Sequence, residues 1–174
     1  MQRVVITGGP SSGKTSIIDT LEKDGYAVFQ EVARKVIQKQ LKLGTNKVPW
    51  DDVSAFSKLV LKDQITQWNS IENTVAFYDR GIPDIIGYLN HGNKQLFSAL
   101  KEASSRLRYD FVFILPPWRT IYTTDQERRE DFKSAELIFE EIKMAYKKLN
   151  YSPITVPIGS VQERTRFIID WLNG

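Results

Sequence analysis

The chain has 174 residues, 41% of them hydrophobic and 26% charged, and Lys and Arg (24) exceed Asp and Glu (21) by three. This composition fits one globular domain with a sizeable core; it speaks against a disordered chain or a membrane protein, and so small a surplus gives no reason to expect a nucleic-acid partner. With no cysteine and one histidine, His91, disulfides, thiolate metal sites, cysteine nucleophiles and a histidine-rich metal centre are excluded.

In chain order, apolar runs at residues 4–7, 26–29, 75–79, 110–115 and 154–157 read as strands. Helical segments alternate with them, the pattern of an α/β sheet. The first strand begins almost at once, with no charged n-region, apolar h-region or cleavage site, so a cytoplasmic location is the expectation. A helix carrying Ile17, Ile18 and Leu21 follows. Another spans about 32–43 and stops near Gly44, with Lys35, Lys39 and Lys42 on a solvated face. After Pro49 an amphipathic stretch places Val53, Phe56, Val60 and Ile65 at helical spacing. Together these two helices form an insertion at about 32–72, in which Trp50, Phe56 and Trp68 can stack on a planar base or ring, although core packing is the commoner use of such residues. Pro83 starts a further helix, His91 falls in a turn at 90–93, and residues 94–103 form the next helix. The apolar run 111–115 is far too short to span a bilayer. Residues 118–149 read as mostly helical, with Ile138, Ile142, Ala145 and Leu149 on one stripe. The last helix opens on Ser160-Val161-Gln162-Glu163, a capping box. The expectation is a single domain over 1–174 with five parallel strands and helices on both faces.

One segment carries specific chemistry. Gly8-Gly9-Pro10-Ser11-Ser12-Gly13-Lys14-Thr15 matches G-x-x-x-x-G-K-[ST] in full, with a strand before it and a helix after it, as a phosphate-binding P-loop requires. The glycines permit a tight loop whose N–H groups converge on phosphate oxygens, and the helix N-terminus, including Ser16, adds favourable partial charge. Lys14 supplies a point charge to the β- and γ-phosphates, and the Thr15 hydroxyl is a ligand for Mg²⁺. ATP is the expected nucleotide, with GTP possible.

Other candidates follow from position. Asp79 stands at the carboxyl end of the third strand, the edge where ligands bind in open α/β sheets, and there it can hold Mg²⁺ or cap the turn that follows. Arg80 can clamp an anionic substrate or pair with a surface carboxylate. Glu31, just past the second strand, can accept a proton from or orient an acceptor hydroxyl, or form an exposed pair with Arg34. Arg119, Arg128 and Arg129 are the cations available to stabilise a transferring phosphoryl group, although mixed charge runs such as 125–131 are commonly solvated faces.

On these residues the chain resembles the small P-loop ATPases grouped with the ribosylnicotinamide kinase domain of bacterial NadR-type proteins, whose relatives include an insect protein of TRP-channel trafficking. The landmarks span nearly the whole chain: Thr7 to Thr15, Gln30-Glu31-Val32-Ala33-Arg34, Tyr78-Asp79-Arg80-Gly81, Pro116-Pro117-Trp118 with Asp125 and Arg128, and Gly159-Ser160-Val161. The resemblance implies a nucleoside- or nucleotide-kinase-like fold of strand order 2-3-1-4-5, with an arginine-bearing lid at about 118–131. It places Glu31 at the acceptor-binding carboxylate, Asp79-Arg80 at the acid–arginine pair and Arg128 in the lid. Lacking the nucleotidyltransferase domain that adjoins the kinase domain in NadR-type proteins, the sequence is not assigned ribosylnicotinamide as substrate. The expected activity is ATP- and Mg²⁺-dependent phosphoryl transfer to a small hydroxyl-bearing, nucleoside-like acceptor. The alternative is a nucleotide-dependent binding module that switches with the γ-phosphate and hydrolyses slowly.

Overall fold

The computed structural model describes residues 2–70, 74–124 and 130–174. Its elements run β1 (Gln2–Gly8), α1 (Lys14–Lys23), β2 (Ala27–Phe29), α2 (Val32–Lys42), α3 (Val53–Asn69), β3 (Val75–Asp79), α4 (Ile82–His91), α5 (Ser98–Arg106), β4 (Phe111–Leu115), a 3-10 turn (Arg119–Ile121), α6 (Phe132–Lys148), β5 (Ile154–Thr155) and α7 (Val161–Asn173). The strands form one parallel sheet in the order β2-β3-β1-β4-β5. No described helix is long and apolar enough to cross a membrane.

Alternation along β1 assigns the two faces of the sheet. Val4 and Ile6 pack with Ile17, Ile18 and Leu21 of α1 and Ile168 of α7. Val5 points the other way, into Ile138, Ile142 and Tyr146 of α6. Both faces being covered explains why the central strands are continuously apolar. A third cluster, around Val36, Phe56, Val60, Leu89 and Leu100, joins α2 and α3 to α4 and α5 beside the sheet. Adjacent parallel strands bring the carboxyl ends of β1, β2 and β3 side by side, with Ile6 opposite Asp79.

Several segments differ from the sequence expectation. Residues 118–149 are helical chiefly from Phe132 on, where α6 begins; after Pro116-Pro117 the described chain makes only the 3-10 turn before it. Pro fixes φ and supplies no N–H, and Asp131 sets the helix start by accepting from the Ser134 N–H at 2.7 Å. The helix expected at 94–103 starts at Ser98 instead. Asn93, left-handed at φ 51°, and the Lys94 N–H bonded to Leu89 O close α4 first. His91 therefore ends α4 instead of sitting in a turn. The buried stripe of α3 is Phe56, Ser57, Val60, Leu61 and Gln64, rotated away from the half-buried Ile65. The edge strand β2 is three residues long and only half-buried.

Candidate functional site

The phosphate loop joins β1 to α1. Gly8 is at φ 141° and packs against the Leu115 carbonyl so closely that a Cβ would collide with backbone. Gly13, at φ 84°, precedes α1 without offering a side chain, so the first N–H groups of α1 meet no side-chain cap and are available to an anion. Lys14 is buried against the loop, its Nζ donating to Gly9 O at 2.8 Å and to Gly8 O and Ser12 Oγ at 3.3 Å. The Ser11 hydroxyl donates to the Thr123 carbonyl, tying the loop to the segment after β4.

At the end of β3, Asp79 is 2% exposed. Its Oδ2 accepts from the Thr15 hydroxyl at 3.3 Å, while Oδ1 is buried without a hydrogen-bond partner among the described residues. Burial, reinforced by the charge of Glu31, lifts the Asp79 carboxyl to about 6; Lys14, Arg80 and the Thr15 hydroxyl pull the other way. An orphaned buried carboxylate oxygen beside a threonine hydroxyl suits a hard divalent cation that takes oxygen ligands and keeps several waters. No cluster of three or more acidic, histidine or cysteine residues is present among the described residues, so a metal here would need phosphate and water ligands as well. Those are the ligands that Mg²⁺ takes at nucleotide sites.

Arg80 is at the centre of a buried ionic network. Its left-handed backbone (φ 73°) turns the side chain back beneath the loop. Nε donates to Glu31 Oε1 at 2.7 Å, and Nη1 donates to Gly8 O at 3.1 Å and Asp84 Oδ1 at 3.2 Å. Burial works against the guanidinium charge. The Tyr88 phenol and the carboxylates of Glu31, Asp84 and Asp79 outweigh it and hold its pKa above the ordinary value. Asp84 also accepts from the Thr7 hydroxyl, the Gly81 N–H at 3.0 Å and the Tyr146 hydroxyl at 2.7 Å. The expected Glu31–Arg34 surface pair is thus the lesser contact, at 3.9 Å with Arg34 38% exposed. Likewise, the carboxylates that Arg80 meets are not surface groups: Asp84 is buried and Glu31 part-buried.

A pocket opens beside this network, bordered by Pro10 of the phosphate loop, by Glu31, Arg34 and Arg80, and by Gln64. Val32, Ile37, Phe56, Val60 and Ile85 give it apolar walls. Gln64 is 4% exposed, and its Oε1 has no hydrogen-bond partner among the described residues. Ser16 is exposed at the first turn of α1. Arg119 is exposed too, stacked 4.4 Å from the Phe132 ring. Arg128 and Arg129 lie outside the described residues.

The fold therefore gathers Gly8 to Thr15, Glu31, Asp79 and Arg80 at one sheet edge, with Arg34 at the pocket rim. Sequence reasoning missed Asp84 and Gln64. Pro83-Asp84 behind Gly81 carried the mark of a helix start with an acid in its first turn. Gln64 lies four residues after Val60, a polar residue on an apolar stripe, and that mismatch was the available signal.

A family model described as an AAA domain matches residues 3–164. The chain belongs to this AAA-domain family. No curated protein matches it in sequence. Among solved structures it is similar to a deoxyadenosine kinase from M. mycoides, with a TM-score of 0.68 and 15% identity over 99% of this chain and 98% of that one. A thymidylate kinase from Ehrlichia chaffeensis gives 0.67 and 14% over 99% and 98%. A NadR protein in complex with NR gives 0.73 and 14% over 99% of this chain and 50% of that one, so the chain spans half of that protein's length. At such identities the likeness shows the fold: a P-loop domain of the nucleoside- and nucleotide-kinase type.

Proposed function

We propose that the protein is a Mg²⁺-dependent phosphotransferase that moves the terminal phosphoryl group of ATP to a hydroxyl of a small nucleoside-like acceptor. The reading rests chiefly on the pocket beside the phosphate loop, which pairs the part-buried carboxylate of Glu31 with an apolar chamber and an amide oxygen at Gln64 that has no partner among the described residues. A module built only to switch on nucleotide has no use for such a chamber.

Phosphoryl transfer asks a protein mainly for positioning and for charge placed where charge develops. The loop N–H groups, the α1 N-terminus and Lys14 would bind the triphosphate, competing for the Lys14 ammonium with Gly8 O and Gly9 O. Thr15 and Asp79 would hold Mg²⁺, which when bound neutralises charge on the β- and γ-phosphates. Glu31, fixed by Arg80, would orient the acceptor hydroxyl. As the acceptor oxygen bonds to the γ-phosphorus, the bond from that phosphorus to the bridging oxygen breaks and ADP leaves; the hydroxyl proton passes to the Glu31 carboxylate. Arg34 and Arg80 would border the acceptor, and Arg119, Arg128 and Arg129 are the proposed lid cations over the transferring group. A nucleoside-like acceptor suits the chamber's apolar walls and amide, and the similar deoxyadenosine kinase and NadR structures are described with nucleotides and with NR.

Incubating the protein with labelled ATP or GTP, Mg²⁺ and a panel of nucleosides and other hydroxyl metabolites tests the reading. A phosphorylated acceptor, with turnover well above basal hydrolysis, is expected. Tight nucleotide binding without any stimulating acceptor across the panel would favour the switch instead.

A further inference from the structure

We propose that Arg164, ten residues from the end of the chain, is a second cation of the phosphate site, acting with Lys14 on the triphosphate bound at the loop. The inference rests on the nucleotide-binding half of the proposed function and not on acceptor transfer.

Arg164 lies in the first turn of α7, far from the loop in sequence but against it in space. Its Nη1 donates to the Ser12 carbonyl at 3.1 Å, and Nε donates to Ser160 O at 3.4 Å. The guanidinium sits 5.6 Å from the centre of the Trp118 ring. A Cβ built on Gly13 would fall 2.7 Å from Nη1 and 3.1 Å from Nη2. The charge is therefore held directly alongside Gly13, the residue that precedes the first N–H groups of α1. Glycine at 13 serves two ends: it takes the left-handed turn and it leaves room for this side chain.

What calls for explanation is the missing counter-charge. Arg164 is 5% exposed and forms no ion pair among the described residues. Burial pulls its pKa below the ordinary arginine value with no carboxylate to oppose it. Two carbonyl oxygens and a ring face are dipolar partners. They satisfy part of a five-donor fork without neutralising it, and a buried charge left uncompensated is costly. Arg80, equally buried, shows the contrast: it is matched by Glu31 and Asp84. An arginine serving only to staple α7 to the loop would gain from a carboxylate beside it. One left unmatched at a phosphate loop is matched when the anion arrives.

The test uses the full chain and two ligands, MgATP and inorganic tripolyphosphate, measured calorimetrically for wild type, R164Q and R164K. R164Q is expected to weaken both ligands by a similar factor, roughly ten- to a hundredfold, since a charge near the phosphates is removed. R164K keeps the charge and is expected to stay within a few-fold of wild type. A loss for ATP alone would assign the guanidinium to the base and overturn the proposal. R164K as weak as R164Q would reduce Arg164 to a loop clamp, and unchanged R164Q binding would remove it from the site. If R164Q does not fold, wild type is titrated with tripolyphosphate while the Arg164 Nε–H NMR signal is followed. A shift that saturates with binding supports the proposal; an unmoved signal refutes it. Wild type that binds neither ligand would sink the nucleotide reading itself.

Discussion

Glu31→Gln separates the chemical role of this carboxylate from its structural one. Sequence alone offered an exposed Glu31–Arg34 pair, worth about 0.3–0.5 kcal/mol at most. The structure instead puts Glu31 Oε1 2.7 Å from Nε of the buried Arg80. Breaking a buried pair outright costs about 3–5 kcal/mol. Glutamine, however, still presents an oxygen to Nε, and Asp84 still faces Nη1 at 3.2 Å. The loss should therefore approach that of one charge-assisted hydrogen bond, about 1.5–3 kcal/mol. Acceptor-dependent turnover should fall by roughly 10²–10⁴, the span of a positioned general base, with ATP affinity changed little. Urea unfolding, calorimetry with MgATP and turnover with the acceptor found in the panel give the three quantities. Arg34→Ala is the control and should cost no more than about 0.5 kcal/mol. The reasoning is refuted by Glu31→Gln protein of wild-type stability and wild-type turnover.

Lys14→Ala should lower MgATP affinity by about ten- to a hundredfold, the worth of a charge-assisted contact, and abolish turnover; wild-type affinity by calorimetry would contradict the phosphate-loop assignment. Asp79→Asn bears on stability as a function of pH without metal or nucleotide. Because the folded-state pKa, about 6, lies above the ordinary 3.8, the folded protein keeps a proton that the unfolded chain releases. Stability therefore falls as pH rises from about 4 to 6 and levels off above it. The asparagine variant should flatten that slope in urea melts and lose Mg²⁺-dependent enhancement of nucleotide binding; an unchanged slope would argue against the burial assigned to Asp79. Gln64→Leu should leave stability unchanged or raise it by up to about 1 kcal/mol, since a buried oxygen without a partner is removed. Acceptor KM should rise at least about tenfold with ATP affinity intact, and a destabilised variant with normal KM would place Gln64 in the core instead.

Much of this site was readable because its first layer is local. A loop with a fixed spacing between a strand and a helix needs no tertiary information, and the carboxyl end of a strand is a location that the hydrophobic pattern itself marks. Gly8 to Thr15, Glu31 and Asp79 were found that way, and the strand order came through the family likeness. What stayed hidden is the choice of partner across the fold. Glu31 and Arg34 are three residues apart, so helical spacing suggested the pair. Arg80 is forty-nine residues from Glu31 and reaches it through a left-handed backbone turn, which no periodicity announces. Asp84, Tyr146 and Arg164 belong to the same class, each placed by packing between distant elements. The late start of α6 at Phe132 was missed for a related reason: the described residues 116–124 bury no apolar stripe of their own, and the helix opens only where Asp131 caps it.

The charges of the assembled site give the strongest reason to regard it as built for an anion and a metal together. Glu31, Asp79 and Asp84 are gathered around the buried cations Lys14 and Arg80. Asp84 and Glu31 are matched through Arg80, so the shortfall lands on Asp79, whose carboxyl pKa is raised by burial and raised further by the charge of Glu31. A divalent cation at Asp79 and Thr15 would correct that shortfall and turn it into a surplus facing the loop. A triphosphate then brings more negative charge than one Mg²⁺ offsets, and the remainder calls for further cations around the phosphates. Lys14 is already in place on one side of the loop. Arg164, without an ion pair among the described residues, is placed on the other side to meet that need.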